Sequence, residues 1–132
     1  METSKNTTKS EVKLTDPVIC YPGHIKKCSK ISKTARNILD IILIIMRIDN
    51  HVYLDIDAIY NIRQLSTTYQ GKNYTEQTIR NAINELSKNE LILKYKNKNY
   101  FVNPTFFIKF SPEERRHKLL TGLVEIGAIK IE

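Results

Sequence analysis

The sequence predicts a single, mainly α domain with a small β-hairpin, and three observations carry that expectation. Apolar residues recur at helical spacing in separate segments, two β-prone runs close on a polar turn at Lys96-Asn97-Lys98-Asn99, and 132 residues suit one core. Hydrophobic residues make up 41% and charged residues 27% of the chain, the balance of a folded soluble protein rather than a disordered or fibrous one.

Residues 1–30 read as a basic N-terminal extension, flexible at least to about residue 13, with turn signals at Asp16-Pro17 and Tyr21-Pro22-Gly23. The domain proper is expected over 31–110, followed by a C-terminal helix and tail over 111–132. A helix is predicted to about Arg47, capped by Ser32 or Thr34, because Ile38, Ile41, Ile42, Ile45 and Ile48 recur at its spacing. Leu39, Leu43, Ile44 and Met46 make it apolar nearly all round, so neighbours should cover it on more than one side. Asn50 to Leu54 is short and β-prone. Asp55 then caps a second helix carrying Ile56, Ile59, Tyr60 and Leu65, expected to stop before Tyr69-Gln70-Gly71.

The third helix has the strongest local signals. Thr75 is the N-cap, with Tyr74 before it and Ile79 within it arranged as a hydrophobic staple. Ile79, Ala82, Ile83 and Leu86 form one buried stripe, while Gln77, Asn81, Asn84 and Lys88 project from the other side with Arg80 beside them. Strand-like runs follow at Leu91 to Tyr95 and Tyr100 to Val102, and Asn103-Pro104 ends the second, since proline cannot donate to a ladder. Ser111-Pro112-Glu113-Glu114 is a capping box with proline at the first helical position, opening a last helix to about Leu123.

Helix, strand, helix, turn, helix and hairpin, in that order, form a winged helix-turn-helix pattern, with 55–88 as the helix-turn-helix and 91–102 as the wing. A helix of this width fits the major groove, where Gln77, Asn81 and Asn84 suit adenine and Arg80 suits guanine. The expected DNA-binding set is therefore Thr75, Gln77, Thr78, Arg80, Asn81, Asn84 and Lys88 on the helix, with Lys94, Lys96, Asn97, Lys98 and Asn99 on the wing. Period-two alternation would put the three wing lysines on one side wherever the strand stays extended, in position to follow phosphates.

Charge agrees with a polyanionic partner: Lys+Arg number 21 against 14 acids, a net +7. The excess lies in residues 1–36, at +5, and 70–100, at +3. Either an outward polar helix face or a Lys-Asn turn is commonplace alone, but here the two are adjacent. Ile38 to Ile48 is too short to cross a bilayer, and 1–13 has no apolar core of a secretory signal. A cytoplasmic protein without membrane contact is expected.

Cys20 and Cys28 are too few for a disulfide framework, which agrees with a reducing compartment. With His24 they form C-x3-H-x3-C, not a recognised zinc spacing, and Pro22-Gly23 would prevent one helix from aligning all three. Buried thiols and an exposed histidine explain them. Gly122 and Gly127 have phosphate-loop spacing, but Ala128-Ile129 stand where Lys and Ser/Thr are required. The histidines at 24, 51 and 117 are dispersed, and Asp55 has its use as a cap. No catalytic residue, metal or cofactor is expected, so the chain reads as a binding protein and not an enzyme.

Tyr100-Phe101-Val102-Asn103-Pro104-Thr105-Phe106-Phe107-Ile108-Lys109, followed by Arg115, Arg116, Leu119 and Leu120, resembles the end of the winged domain in RepL-type bacterial plasmid replication proteins. The Y-x-V-N-P core is the specific part. Thr75 to Leu86, Asn89-Glu90-Leu91-Ile92 and the earlier Lys33-Thr34-Ala35-Arg36 are also similar, so the likeness spans about residues 30–120. Phe110 departs from it, standing where the family tends to have glycine. The resemblance implies a role in initiating replication of a plasmid or phage-like element. Double-stranded DNA is then the principal partner, with a homodimer and host replication proteins as further candidates. The rival readings are a DNA-binding transcription regulator, or a non-enzymatic winged-helix adaptor that uses Leu119, Leu120, Leu123 and Val124 for protein contacts.

Overall fold

The computed structural model describes residues 18–109 and 113–127. In chain order the elements are β1 (Val18–Cys20), α1 (Gly23–Cys28), α2 (Lys33–Ile45), β2 (His51–Tyr53), α3 (Ile56–Gln70) and α4 (Glu76–Lys88). They continue with β3 (Ile92–Lys94), β4 (Asn99–Val102), β5 (Phe107–Lys109) and α5 (Glu113–Glu125). The fold is thus mixed α/β rather than mainly α with one hairpin. The hairpin β3–β4 belongs to a three-stranded antiparallel sheet ordered β2-β4-β3, and β1 pairs with β5 in a second, two-stranded sheet. Residues 18–28, read from sequence only as part of an extension, supply a strand and a helix. The expected flexibility before residue 13 and the capping box at Ser111-Pro112 lie outside the described residues.

The apolar spacing of α2 has the anticipated consequence. Ala35, Ile38, Leu39, Ile41, Ile42 and Leu43 are buried together in the core, and α3 and α4 pack against this helix. Facing it are Ile59 and Ile62 of α3 and the stripe Ile79, Ala82, Ile83 and Leu86 of α4. Ser32, not Thr34, caps α2, its side chain accepting from the Ala35 N–H at 3.1 Å. The helix ends at Ile45 rather than Arg47, because Met46 turns to extended backbone. The ammonium of the fully buried Lys109 donates to the carbonyls of Ile44 and Met46, satisfying acceptors that a helix end leaves open.

The second predicted helix starts as expected, with Asp55 accepting from the Ala58 N–H at 2.9 Å, but runs through Gln70. Gly71 stops it there at φ 65°, with its N–H and that of Lys72 returning to the carbonyls of Thr67 and Ser66. Tyr69 therefore lies inside the helix.

Asn50 joins the two sheets. It is fully buried at φ 63°, and its Nδ2 donates to the carbonyls of Val102 and Phe107, both at 2.9 Å. Its Oδ1 accepts from the Lys109 N–H at 3.4 Å, so one amide ties the ends of β4 and β5 to the turn before β2.

Candidate nucleic-acid interface

Two contacts hold the turn before α4, and a third ties the two earlier helices to each other. Asn37 Nδ2 of α2 donates to the Tyr74 hydroxyl at 2.9 Å, Arg63 Nε of α3 to the Tyr74 carbonyl at 2.9 Å, and Gln70 Nε2 to the Asn37 carbonyl at 2.8 Å. The turn before α4 is therefore held by both earlier helices. Thr75 caps α4 as expected, accepting from the Thr78 N–H at 3.1 Å, and the two hydroxyls are 2.9 Å apart. Both threonines are thus engaged in starting the helix.

Along the outward side of α4, Gln77, Asn81, Asn84 and Lys88 are exposed and Arg80 is half-buried. Gln77 Nε2 donates to Asn81 Oδ1 at 2.9 Å, one turn on. Arg80 Nε donates to Glu76 Oε2 at 2.8 Å, which leaves the two terminal guanidinium nitrogens, the pair that fits the O6 and N7 edge of guanine. Glu76, absent from the sequence-based set, thus orients Arg80. Its i,i+4 spacing to the arginine was the available signal.

The hairpin closes beside this face. Tyr95 N–H donates to the Asn99 carbonyl at 2.9 Å, Asn99 N–H to the Lys96 carbonyl at 2.8 Å, and Asn97 takes φ 52° at the tip. Leu54 N–H, at the start of the segment leading into α3, donates to the Lys98 carbonyl at 2.8 Å and pins the tip to the body. Asn99 serves the same closure: its Nδ2 donates to the Lys96 carbonyl at 3.0 Å and its Oδ1 accepts from His51 Nε2 at 2.8 Å. Because β3 ends at Lys94 and the chain turns at once, strict alternation does not extend to the tip. Lys94 and Lys98 face α4, whereas the Lys96 ammonium lies 5.1 Å from the centre of the Tyr95 ring.

Between α4 and the hairpin lies a cleft of about 320 Å³, lined by Gln77, Arg80, Ile83 and Asn84 from the helix and Lys94, Asn97, Lys98 and Tyr100 from the hairpin. Leu54 and Ile59 complete the lining, which carries three cations and no carboxylate of its own, Arg80 being paired with Glu76 outside it. Six of the twelve sequence-predicted site residues meet here. Thr75, Thr78, Asn81, Lys88, Lys96 and Asn99 do not line it. Tyr100, which sequence reasoning missed, has its phenol pushed up by burial, with the Arg80 guanidinium opposing the shift. It contributes an apolar wall with a hydroxyl among the amides.

The N-terminal cysteine and histidine stretch differs from expectation. Cys20 is exposed, Cys28 half-buried, and His24 half-buried with its Nδ1 donating to the Tyr21 carbonyl at 2.8 Å. Cys20 ends β1, whose Ile19 and Cys20 are both exposed at the rim of the two-stranded sheet, whereas Cys28 packs partly against the core. Among the described residues, no helix is long and apolar enough to cross a membrane. No protein-family model matches the chain, and no curated protein or solved structure matches it.

Proposed function

We propose that this chain is a winged helix-turn-helix protein that binds double-stranded DNA sequence-specifically, with α3–α4 as the helix-turn-helix and β3–β4 as the wing. One observation carries the reading: the amide and guanidinium groups of α4 and the lysines of the hairpin line one carboxylate-free cleft. In this reading α4 enters the major groove, where Arg80, Gln77, Asn81 and Asn84 read base edges, and Lys94 and Lys98 meet phosphates beside it. The strand order β2-β4-β3 and the packing of β3 against α4 support the same assignment. The protein acts by binding, in the cytoplasm, without catalysis or cofactor. Its biological role is the initiation of plasmid or phage replication, an assignment that rests on the resemblance over about residues 30–120, most specific at Tyr100-Phe101-Val102-Asn103-Pro104.

Selection from a random duplex pool tests the reading, followed by affinity measurements on the enriched and a scrambled duplex. Enrichment of one motif with a clear affinity gap is expected. Equal affinity for both would remove the base-reading role of α4. No duplex binding would shift the assignment to a protein adaptor.

A further inference from the structure

Residues 23–36 carry Lys26, Lys27, Lys30, Lys33 and Arg36 and no acid, a denser basic run than the hairpin itself. Two acids near the C-terminal end of α4 hold this segment against the helix. Glu85 accepts the Ser32 N–H at 2.6 Å and the Ser32 hydroxyl at 2.9 Å, and Lys27 Nζ donates to Glu90 at 3.2 Å. Arg36 pairs with Asp40 at 3.4 Å. Lys26, Lys30 and Lys33 are exposed and pair with no carboxylate among the described residues.

Helical geometry places this corner relative to the cleft. At 3.6 residues per turn, Glu85 lies on one flank of α4 and Arg80 on the other, with the exposed ridge of Gln77, Asn81 and Lys88 between them. The hairpin stands against the Arg80 flank and the α1–α2 corner against the Glu85 flank. A helix about 10–12 Å across nearly fills a major groove about 12 Å wide, so elements packed on its two flanks stand over the two phosphate rows bordering the groove.

We infer that the α1–α2 corner, through Lys26, Lys30 and Lys33, grips the phosphate strand opposite the one met by the hairpin. The inference rests on the duplex-binding reading and extends it from a one-sided to a two-sided clamp. It gives the basic N-terminal charge a place on the DNA, and it makes Glu85 and Glu90 positioning residues that hold the second arm.

The test is the triple variant Lys26→Gln, Lys30→Gln, Lys33→Gln on the duplex enriched by selection, on which the protein holds one register. Affinity is measured between about 50 and 200 mM salt, with ethylation interference locating the contacted phosphates. Each lost contact should reduce the slope of log affinity against log salt by about 0.9, so loss of all three makes the salt-induced fall in affinity about 40-fold smaller over that range. Ethylation should lose one of two phosphate groups, the one across the groove from the group lost in Lys94→Gln, Lys98→Gln. An unchanged slope, or loss of phosphates on the hairpin side, would overturn the second arm while duplex binding stands. Failure of the unsubstituted protein to bind duplex would overturn both. Melting temperature should not move, since the three side chains are exposed, and the single variants give the same reading one contact at a time.

Discussion

Replacing Asn50 by glycine keeps the left-handed backbone of this buried residue and deletes only its amide. The structure sets the size of the effect. Two hydrogen bonds of 2.9 Å to the Val102 and Phe107 carbonyls disappear, and the longer 3.4 Å contact from the Lys109 N–H goes with them. Leaving a buried polar group unpaired costs about 1–3 kcal/mol, and neighbouring losses share relaxation, so Asn50→Gly should lose about 2–4 kcal/mol. Asn50→Ala should lose roughly 1 kcal/mol more, because φ 63° is strained for a residue with a Cβ. Asn50→Asp is expected to do no better than glycine, since its carboxylate would face two carbonyl oxygens. Urea unfolding followed by circular dichroism gives all three values, and at about 4 °C per kcal/mol the melting temperature of Asn50→Gly should fall by roughly 8–16 °C. A loss below about 1 kcal/mol for glycine would refute the role of this amide as the tie between the sheets, and alanine matching glycine would refute the strain assigned to the left-handed backbone.

Ile83, 4% exposed between α4 and the core, should not tolerate Asp: a buried unpaired charge is expected to abolish cooperative unfolding or cost more than about 4 kcal/mol, and an unchanged melting curve would mean the buried face of α4 is misassigned. Arg80→Ala and Asn84→Ala should each cost about 1–3 kcal/mol on the selected duplex and little on scrambled DNA, while stability moves by only a few tenths, as for an exposed i,i+4 pair; equal losses on both duplexes would argue against base reading. Lys94→Gln, Lys98→Gln should shrink the salt slope by about 0.9 per contact, and Lys96→Gln should shrink it less, because its ammonium lies over Tyr95 instead of facing the cleft; the reverse order would show that the tip rearranges on DNA. Burial pushes the Asp40 carboxyl above its ordinary 3.8, with Arg36 opposing, so its stabilising contribution is full below that value and is lost as pH rises through the folded pKa. Asp40→Asn should flatten stability over that acidic range, and an unchanged pH profile would count against the burial.

Much of the helical framework was legible because its signals are local. Ser32, Asp55 and Thr75 each offer a side-chain oxygen to an N–H three residues on, and the Ile79, Ala82, Ile83 and Leu86 spacing marks the inner face of α4 without knowledge of its neighbour. Half of the expected DNA-binding set lines the cleft for the same reason: a helix face and a hairpin tip adjacent in sequence are adjacent in space. The misplaced end of α3 shows the limit. Tyr69 and Gln70 have no strong preference against helix, and Gly71 stops the chain only where its positive φ is reached.

Local residue patterns specify where most helices begin, which side of α4 is buried, and that positive charge gathers near the N-terminus and around the hairpin. The β-prone runs at β2, β3 and β4 are visible in the sequence, but β1 and β5, three residues each, carry too little alternation to be read, and only the tertiary fold pairs β1 with β5 from the other end of the domain and β2 with β4. It also decided that Asn50 and Lys109 belong in the interior. Their side chains are polar, and only folding brings them to the buried carbonyls of β4, β5 and the end of α2 that make burial favourable. The basic corner at Lys26, Lys30 and Lys33 follows the same logic, since only the contacts of Ser32 and Lys27 with Glu85 and Glu90 turn a run of lysines into a second border of α4.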